Sequence, residues 1–256
     1  MKSHLITKTT GQGKNIALLH GWGVNSGVWQ TVSKQLEERY RVTYIDLPGF
    51  GLNAGHTPKN YNLESIAKMV SECLPNKTNL IGWSLGGLVA QKIALEKMAD
   101  IEKLILLATS PKFQKRLQWP GIEPKVLTIF EQQLSIDYSK TLDRFLAIQA
   151  MGSASAKLDI KQIKQSIAQY PTPNIQALKA GLQILEDTDL RSQLSQLAIP
   201  SHWMLGKLDS LVPFRIQQRL ELILPNATYS VFSKASHAPF VSHPKEFLSE
   251  LTNVFE

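Results

Sequence analysis

The sequence predicts an α/β protein: a mostly parallel sheet flanked by helices, with a helical segment inserted in the middle of the chain. Three observations carry this. Short apolar runs alternate with helical spacing up to about residue 110. From Lys112 to about Asp187 no core strand is legible, and runs such as VLTIFEQQL and LDRFLAIQAM have helical spacing. The alternation then resumes to the C-terminus. Strands that alternate with helices pack as a parallel sheet covered on both faces.

In order, Asn15–Leu19 reads as a buried strand and Ser26–Tyr40 as a helix with Ser26 as its cap. Val42–Asp46 is a strand ended by Leu47-Pro48-Gly49, and Asn62–Leu74 is a helix. Thr78–Gly82 is a strand, Leu85–Lys97 a helix and Ile101–Ala108 a strand. Beyond the insertion, Ser201–Leu205 and Thr228–Phe232 are strands, and Pro213–Leu224 and Pro244–Phe255 are helices, the last with proline in its first turn. The expected division is a core domain of residues 1–110 and 188–256 and a helical cap of residues 111–187.

The chain has 256 residues, enough for one sizeable core. Its net charge is +7, but the Lys and Arg residues are dispersed and no zinc-finger or RNP-like spacing occurs, which disfavours nucleic acid as a partner. One cysteine, Cys73, precludes an internal disulfide. The segment MKSHLITKTT lacks the apolar stretch of a signal peptide, and no run of about 18 apolar residues suggests a membrane span. A cytoplasmic monomer is the expectation.

Gly82-Trp83-Ser84-Leu85-Gly86 matches G-x-S-x-G, a short pattern that gains meaning from context. A strand precedes it and a helix follows, so Ser84 projects from a tight turn at the carboxyl end of the sheet, where open α/β sheets bind ligands. The bland alternative is a serine that caps the following helix. As a nucleophile, Ser84 needs a base. His237, between the last strand and the last helix, fits the chain order Ser…Asp/Glu…His. His243 adjoins Pro244 and suits a helix start, while His4, His56 and His202 have no matching context. Asp209 follows the strand Ser201–Leu205 and is the expected acid. Asp187 and Asp189 precede that strand, Asp46 suits the fixing of the LPGFG turn, and no carboxylate closely follows Ile101–Ala108. His20-Gly21-Trp22-Gly23 follows the first strand, and its glycines allow close backbone approach. The N–H groups of Trp22 and Leu85 are then the expected oxyanion donors, with His20 as a loop brace.

The motifs HGWG, DLPGFG, GWSLGG, SP…WPGI, DRFLAIQAMG, LDSLVP and SHAPFVSHP together resemble the BioH carboxylesterases of biotin synthesis, nearly from end to end. GWSLGG with Trp22 and the RFLAIQAMG segment are the specific parts. The resemblance implies an α/β-hydrolase fold with the helical cap inserted after the sixth strand, and a triad of Ser84, Asp209 and His237. It implies substrate contacts from Trp22, Leu85 and the cap residues Phe145, Leu146, Ala147, Ile148 and Gln149. It further implies hydrolysis of the methyl ester of pimeloyl-acyl carrier protein, without metal or organic cofactor. Lys140, Arg144, Lys157 and Lys161 stand where the family grips its acidic carrier with arginines; lysine keeps the charge but loses the bidentate fork. A solvated helix face is the alternative for these four. A general short-chain esterase or thioesterase, another α/β-hydrolase reaction and a non-catalytic ligand-binding protein are the rival functions.

Overall fold

The structure, a computed structural model, describes residues 5–255. His4 and the first three residues of the segment read for a leader therefore lie outside the described residues. Seven strands, β1 (Thr7–Thr10), β2 (Lys14–Leu19), β3 (Tyr40–Ile45), β4 (Thr78–Trp83), β5 (Ile101–Leu107), β6 (Ser201–Gly206) and β7 (Thr228–Phe232), form one sheet in the order β1-β3-β2-β4-β5-β6-β7. β1 runs antiparallel to β3, and every other pairing is parallel. The central strands are apolar without alternation because both faces are covered. Ala17, Leu19, Leu80, Leu104, Leu106, Trp203 and Leu205 face one core layer. Ile16, Leu18, Ile81, Trp83, Ile105, Leu107 and Met204 face the other.

The first layer is closed by α2 (Leu63–Ser71), α3 (Leu85–Leu95) and α8 (Gln217–Ile223). The second is closed by α1 (Gln30–Glu37), α9 (Pro239–Ser242) and α10 (Pro244–Phe255), through Val32, Phe240, Phe247 and Leu251. The inserted segment forms α4 (Pro124–Leu134), α5 (Tyr138–Ala150), α6 (Ala156–Ile167) and α7 (Ile175–Asp187). α5 bridges the layers: Phe145 joins the first, Leu142 and Leu146 the second.

Four details differ from expectation. The insertion follows the fifth strand in chain order rather than the sixth, because the described residues ahead of β2 have room for only one short strand. That strand, TKTT, is mostly exposed at the sheet edge and carries no apolar run. Asn53 ties the chain beside it, accepting from Ile6 N at 2.7 Å and donating to Ile6 O at 3.0 Å. The cap expected at Ser26 is Asn25, whose side chain accepts from Gly27 N at 3.0 Å. Ser26–Trp29 is a 3-10 turn that leads into α1, and Tyr40 already belongs to β3. Finally, Pro239–Ser242 adds a one-turn helix in the loop after His237.

Asp46, at the end of β3, accepts Ser26 N at 2.5 Å with one oxygen and Leu52 N at 2.8 Å with the other. It thereby ties the turn after β2 to the turn after β3. Asp46→Ala leaves both N–H groups without this acceptor and is expected to cost about 2–3 kcal/mol of stability, read from urea unfolding.

Candidate active site

β4 hands over to α3 within one residue. Ser84 has φ 55° and ψ −118°, a left-handed conformation costly for a residue with a Cβ. The turn survives because its surroundings leave no space to relax. A Cβ on Gly86 would lie 2.6 Å from the carbonyl oxygens of Leu19 and His20, so the helix start packs directly on the end of β2. Ser84 is 1 % exposed. Its carbonyl accepts from Gly87 N at 2.9 Å, Leu88 N at 3.3 Å and the Thr109 hydroxyl at 2.8 Å.

The structure brings Ser84, His237 and Asp209 together. His237 Nε2 lies 2.9 Å from Ser84 Oγ, and Nδ1 lies 2.7 Å from Asp209 Oδ2. An ionised carboxylate only accepts, so Nδ1 carries the proton and Nε2 is free to accept from the serine hydroxyl. The other oxygen of Asp209 accepts from Leu211 N at 2.8 Å and Val212 N at 3.0 Å, which fixes the carboxylate in its loop. His237 is fully buried and pinned by its backbone as well. Its N–H donates to Gln149 O at the end of α5 at 3.1 Å, and its carbonyl accepts Trp83 Nε1 at 2.8 Å.

The loop after β2 lies against Ser84: a Cβ on Gly21 would sit 3.2 Å from Ser84 Cβ. Trp22 and Leu85 are fully buried. The Trp22 indole donates to Leu178 O on α7 at 2.8 Å and meets Phe145 edge-on, with ring centroids 4.8 Å apart. His20 braces this loop; its Nδ1 lies 2.8 Å from Gly21 O, and its Nε2 accepts from Leu47 N at 2.9 Å.

The remaining candidates separate. His202 bonds Thr228 and Ser230 within the β6–β7 edge, and His243 bonds Ser242 at the start of α10. Asp189 pairs with Arg191, and Asp187 accepts from Gln183. Of the cap segment, Phe145, Leu146 and Gln149 are buried and Ile148 is half-buried. Ala147 does not join them: the helical period turns it to the exposed outer face, so the five residues are not one continuous contact surface. Neither amide atom of the Gln149 side chain has a hydrogen-bond partner. Lys140, Arg144, Lys157 and Lys161 are all exposed. An ion pair between Asp143 on α5 and Lys164 on α6, 2.5 Å long, joins the helix stripes that carry them. Sequence reasoning missed Thr109 and the Gln149 carbonyl. The signal for Thr109 is its place two residues after β5, at the sheet edge that carries Ser84; a backbone carbonyl leaves no signal. Among the described residues no group of three His, Cys, Asp or Glu side chains is set to hold a metal, and no helix is long and apolar enough to cross a membrane.

A serine on a strand–turn–helix elbow, relayed through histidine to a carboxylate, defines the class: a serine hydrolase of the α/β type. Residues 14–244 match the model of the alpha/beta hydrolase fold family. The chain is 55 % identical to a pimeloyl-[acyl-carrier protein] methyl ester esterase of Pseudoalteromonas atlantica, over 98 % of both chains. It is 45 % identical to the protein of that name from Vibrio vulnificus, again over 98 % of both. Among solved structures, an esterase from Exiguobacterium antarcticum superposes with a TM-score of 0.86 at 23 % identity, covering 98 % of this chain and 94 % of that one. MenH from S. aureus gives 0.79 at 20 % identity, covering 98 % and 97 %; at such identities the likeness concerns the fold alone. The chain belongs to the BioH family of α/β-hydrolases.

His20 can accept the Leu47 N–H only while neutral, and burial lowers its pKa from the ordinary 6.5. The unfolded chain therefore binds this proton more readily than the folded one, and stability falls as pH drops below about 6.5. His202, also lowered by burial, adds to the same trend. The urea midpoint is expected to decline from pH 7 to pH 5, and the decline to be smaller in His20→Asn.

Proposed function

We propose that this chain hydrolyses the methyl ester of a pimeloyl chain carried on an acyl carrier protein, releasing methanol, as a step of biotin synthesis. The observation that carries the reading is the buried relay of 2.9 and 2.7 Å from Ser84 through His237 to Asp209. His237 takes the Ser84 proton as the oxygen attacks the ester carbonyl. The N–H groups of Trp22 and Leu85 hold the charge that develops on the carbonyl oxygen. As the tetrahedral intermediate collapses, His237 protonates the departing methoxide, leaving an acyl-serine and methanol. Water, deprotonated by His237, then attacks the acyl-serine, and the proton returns to Ser84 as the free carboxylic acid leaves. Asp209 holds the imidazole tautomer and stabilises the imidazolium in both halves.

Phe145, edge-on to Trp22, and the buried Gln149 are the inner wall along which the acyl chain would lie, with Leu146 and Ile148 beside them on α5. In this reading the core (residues 1–110 and 188–256) carries the chemistry, and residues 111–187 act as a cap. Because Ser84 and His237 are sealed, the cap shifts to admit substrate. Lys140, Arg144, Lys157 and Lys161 form the outer face on which an acidic carrier docks. The names of the relatives, each specifying an acyl-carrier-protein substrate, support that partner. The same reading has the protein act as a cytoplasmic monomer without metal or organic cofactor, since Ser84, His237, Asp209 and two amides supply every group these steps use.

Ser84→Ala is expected to lower kcat for the carrier-linked methyl ester by about 10⁴-fold or more in a methanol-release assay; retention of most activity would sink the mechanism. The double variant Lys140→Glu/Arg144→Glu is expected to reduce the preference for the carrier-linked ester over a short-chain methyl ester by about tenfold, and added salt to do the same in the unmodified protein.

A further inference from the structure

The carbonyl oxygen of Ser84 already has two donors from its own helix, Gly87 N–H and Leu88 N–H. Satisfying a buried acceptor therefore does not require a third. Yet the hydroxyl of Thr109, fully buried and delivered by the neighbouring strand β5, donates to the same oxygen at 2.8 Å, shorter than either backbone bond.

That carbonyl is one end of the peptide unit whose other end is the Leu85 N–H. The unit is planar and trans, so its C=O and N–H point in opposite directions and turn together. Whatever fixes the carbonyl also aims the amide. We infer that Thr109 is a positioning residue for oxyanion stabilisation: its hydroxyl locks the Ser84–Leu85 peptide plane so that the Leu85 N–H faces the developing negative charge. The inference rests on the reading of Leu85 N–H as an oxyanion donor. A hydrogen bond accepted by the carbonyl also polarises the amide and makes its N–H a stronger donor.

Two features show the local chain shaped around this contact. Ala108, immediately before Thr109, has φ 42°, a left-handed conformation unusual for a non-glycine residue, while its N–H still donates to Met204 O at 2.8 Å. β5 thus keeps its neighbour up to Ala108 and then bends to bring Thr109 onto the end of β4. On the opposite side, a Cβ at Gly87 would lie 2.5 Å from Cβ, Oγ1 and Cγ2 of Thr109. Residue 87 is a glycine where Thr109 needs the space. The torsions of Ser84, φ 55° and ψ −118°, are themselves unfavourable, so a peptide plane released on one side has a reason to rotate.

The test uses the full chain with Thr109→Val, which keeps the branched shape and removes the hydroxyl, and Thr109→Ser, which keeps the hydroxyl. Four quantities are measured: kcat and KM for a short-chain methyl ester, inhibition by an alkyl boronic acid that forms a tetrahedral adduct on Ser84, and inhibition by the matching carboxylic acid. Loss of a whole oxyanion donor costs about 10²–10³-fold in kcat, so a misaimed one is expected to cost about tenfold. Thr109→Val should lower kcat and weaken the boronic acid by similar factors, leave KM and the carboxylic acid nearly unchanged, and be rescued by serine. Thr109→Ala carries the same expectation should the valine variant not fold. Tight boronic-acid binding by the unmodified protein that survives removal of the hydroxyl overturns the Thr109 inference alone. Losses that serine fails to restore do the same. If the unmodified protein binds the boronic acid no more tightly than the carboxylic acid, the oxyanion reading falls and takes the inference with it.

Discussion

The left-handed turn at Ser84 is the constraint on which the rest of the site depends. A fully buried parallel strand becomes a buried helix with one residue between them, and that residue is held in a conformation the chain alone would avoid. Only close packing on every side keeps it there. Gly86 rests on the carbonyls that end β2, which brings the Gly21–Trp22 loop over Ser84. Trp83, just before the turn, reaches across to hold the backbone of His237. The hydroxyl of Ser84 and the backbone of His237 are thus both tied to neighbouring residues of one strand end.

α5 is the second organising element, because it faces two ways. On its inner side Phe145 packs on Trp22, and its last turn presents the Gln149 carbonyl to the His237 N–H. That carbonyl would otherwise be one of the unpaired acceptors of a helix end. On its outer side stand Lys140 and Arg144, linked through Asp143 to the basic stripe of α6. The helix proposed to meet the carrier is also the helix that supports His237 and, through Phe145 on Trp22, the loop after β2.

Much of this was legible in the sequence, for identifiable reasons. Strands buried on both faces read as continuous apolar runs, so β2 to β6 stood out with boundaries within a residue or two. Glycine-flanked Ser84, and Asp209 and His237 after later strands, could be picked by chain order because the chemistry demands a base and an acid in loops at the same sheet edge. What stayed hidden depends on contacts that residue types do not announce. β1 is polar and exposed, and it is a strand only because β3 offers it an edge. Asn25 and Ser26 are both good caps, and only the torsions choose between them. Ala147 sits within a run matched by resemblance, yet the helix turns it outward. Thr109 looks like any threonine after a strand until its hydroxyl is seen on the Ser84 carbonyl.

The central claim concerns which bond is broken, and the mass of the carrier before and after reaction tests it most directly. Pimeloyl-carrier methyl ester is incubated with the purified protein, and the carrier is weighed intact. The account predicts that the carrier keeps its acyl chain and loses only the methyl group, with one methanol released per carrier. Appearance of free carrier thiol, or a carrier whose methyl ester remains intact, would contradict it.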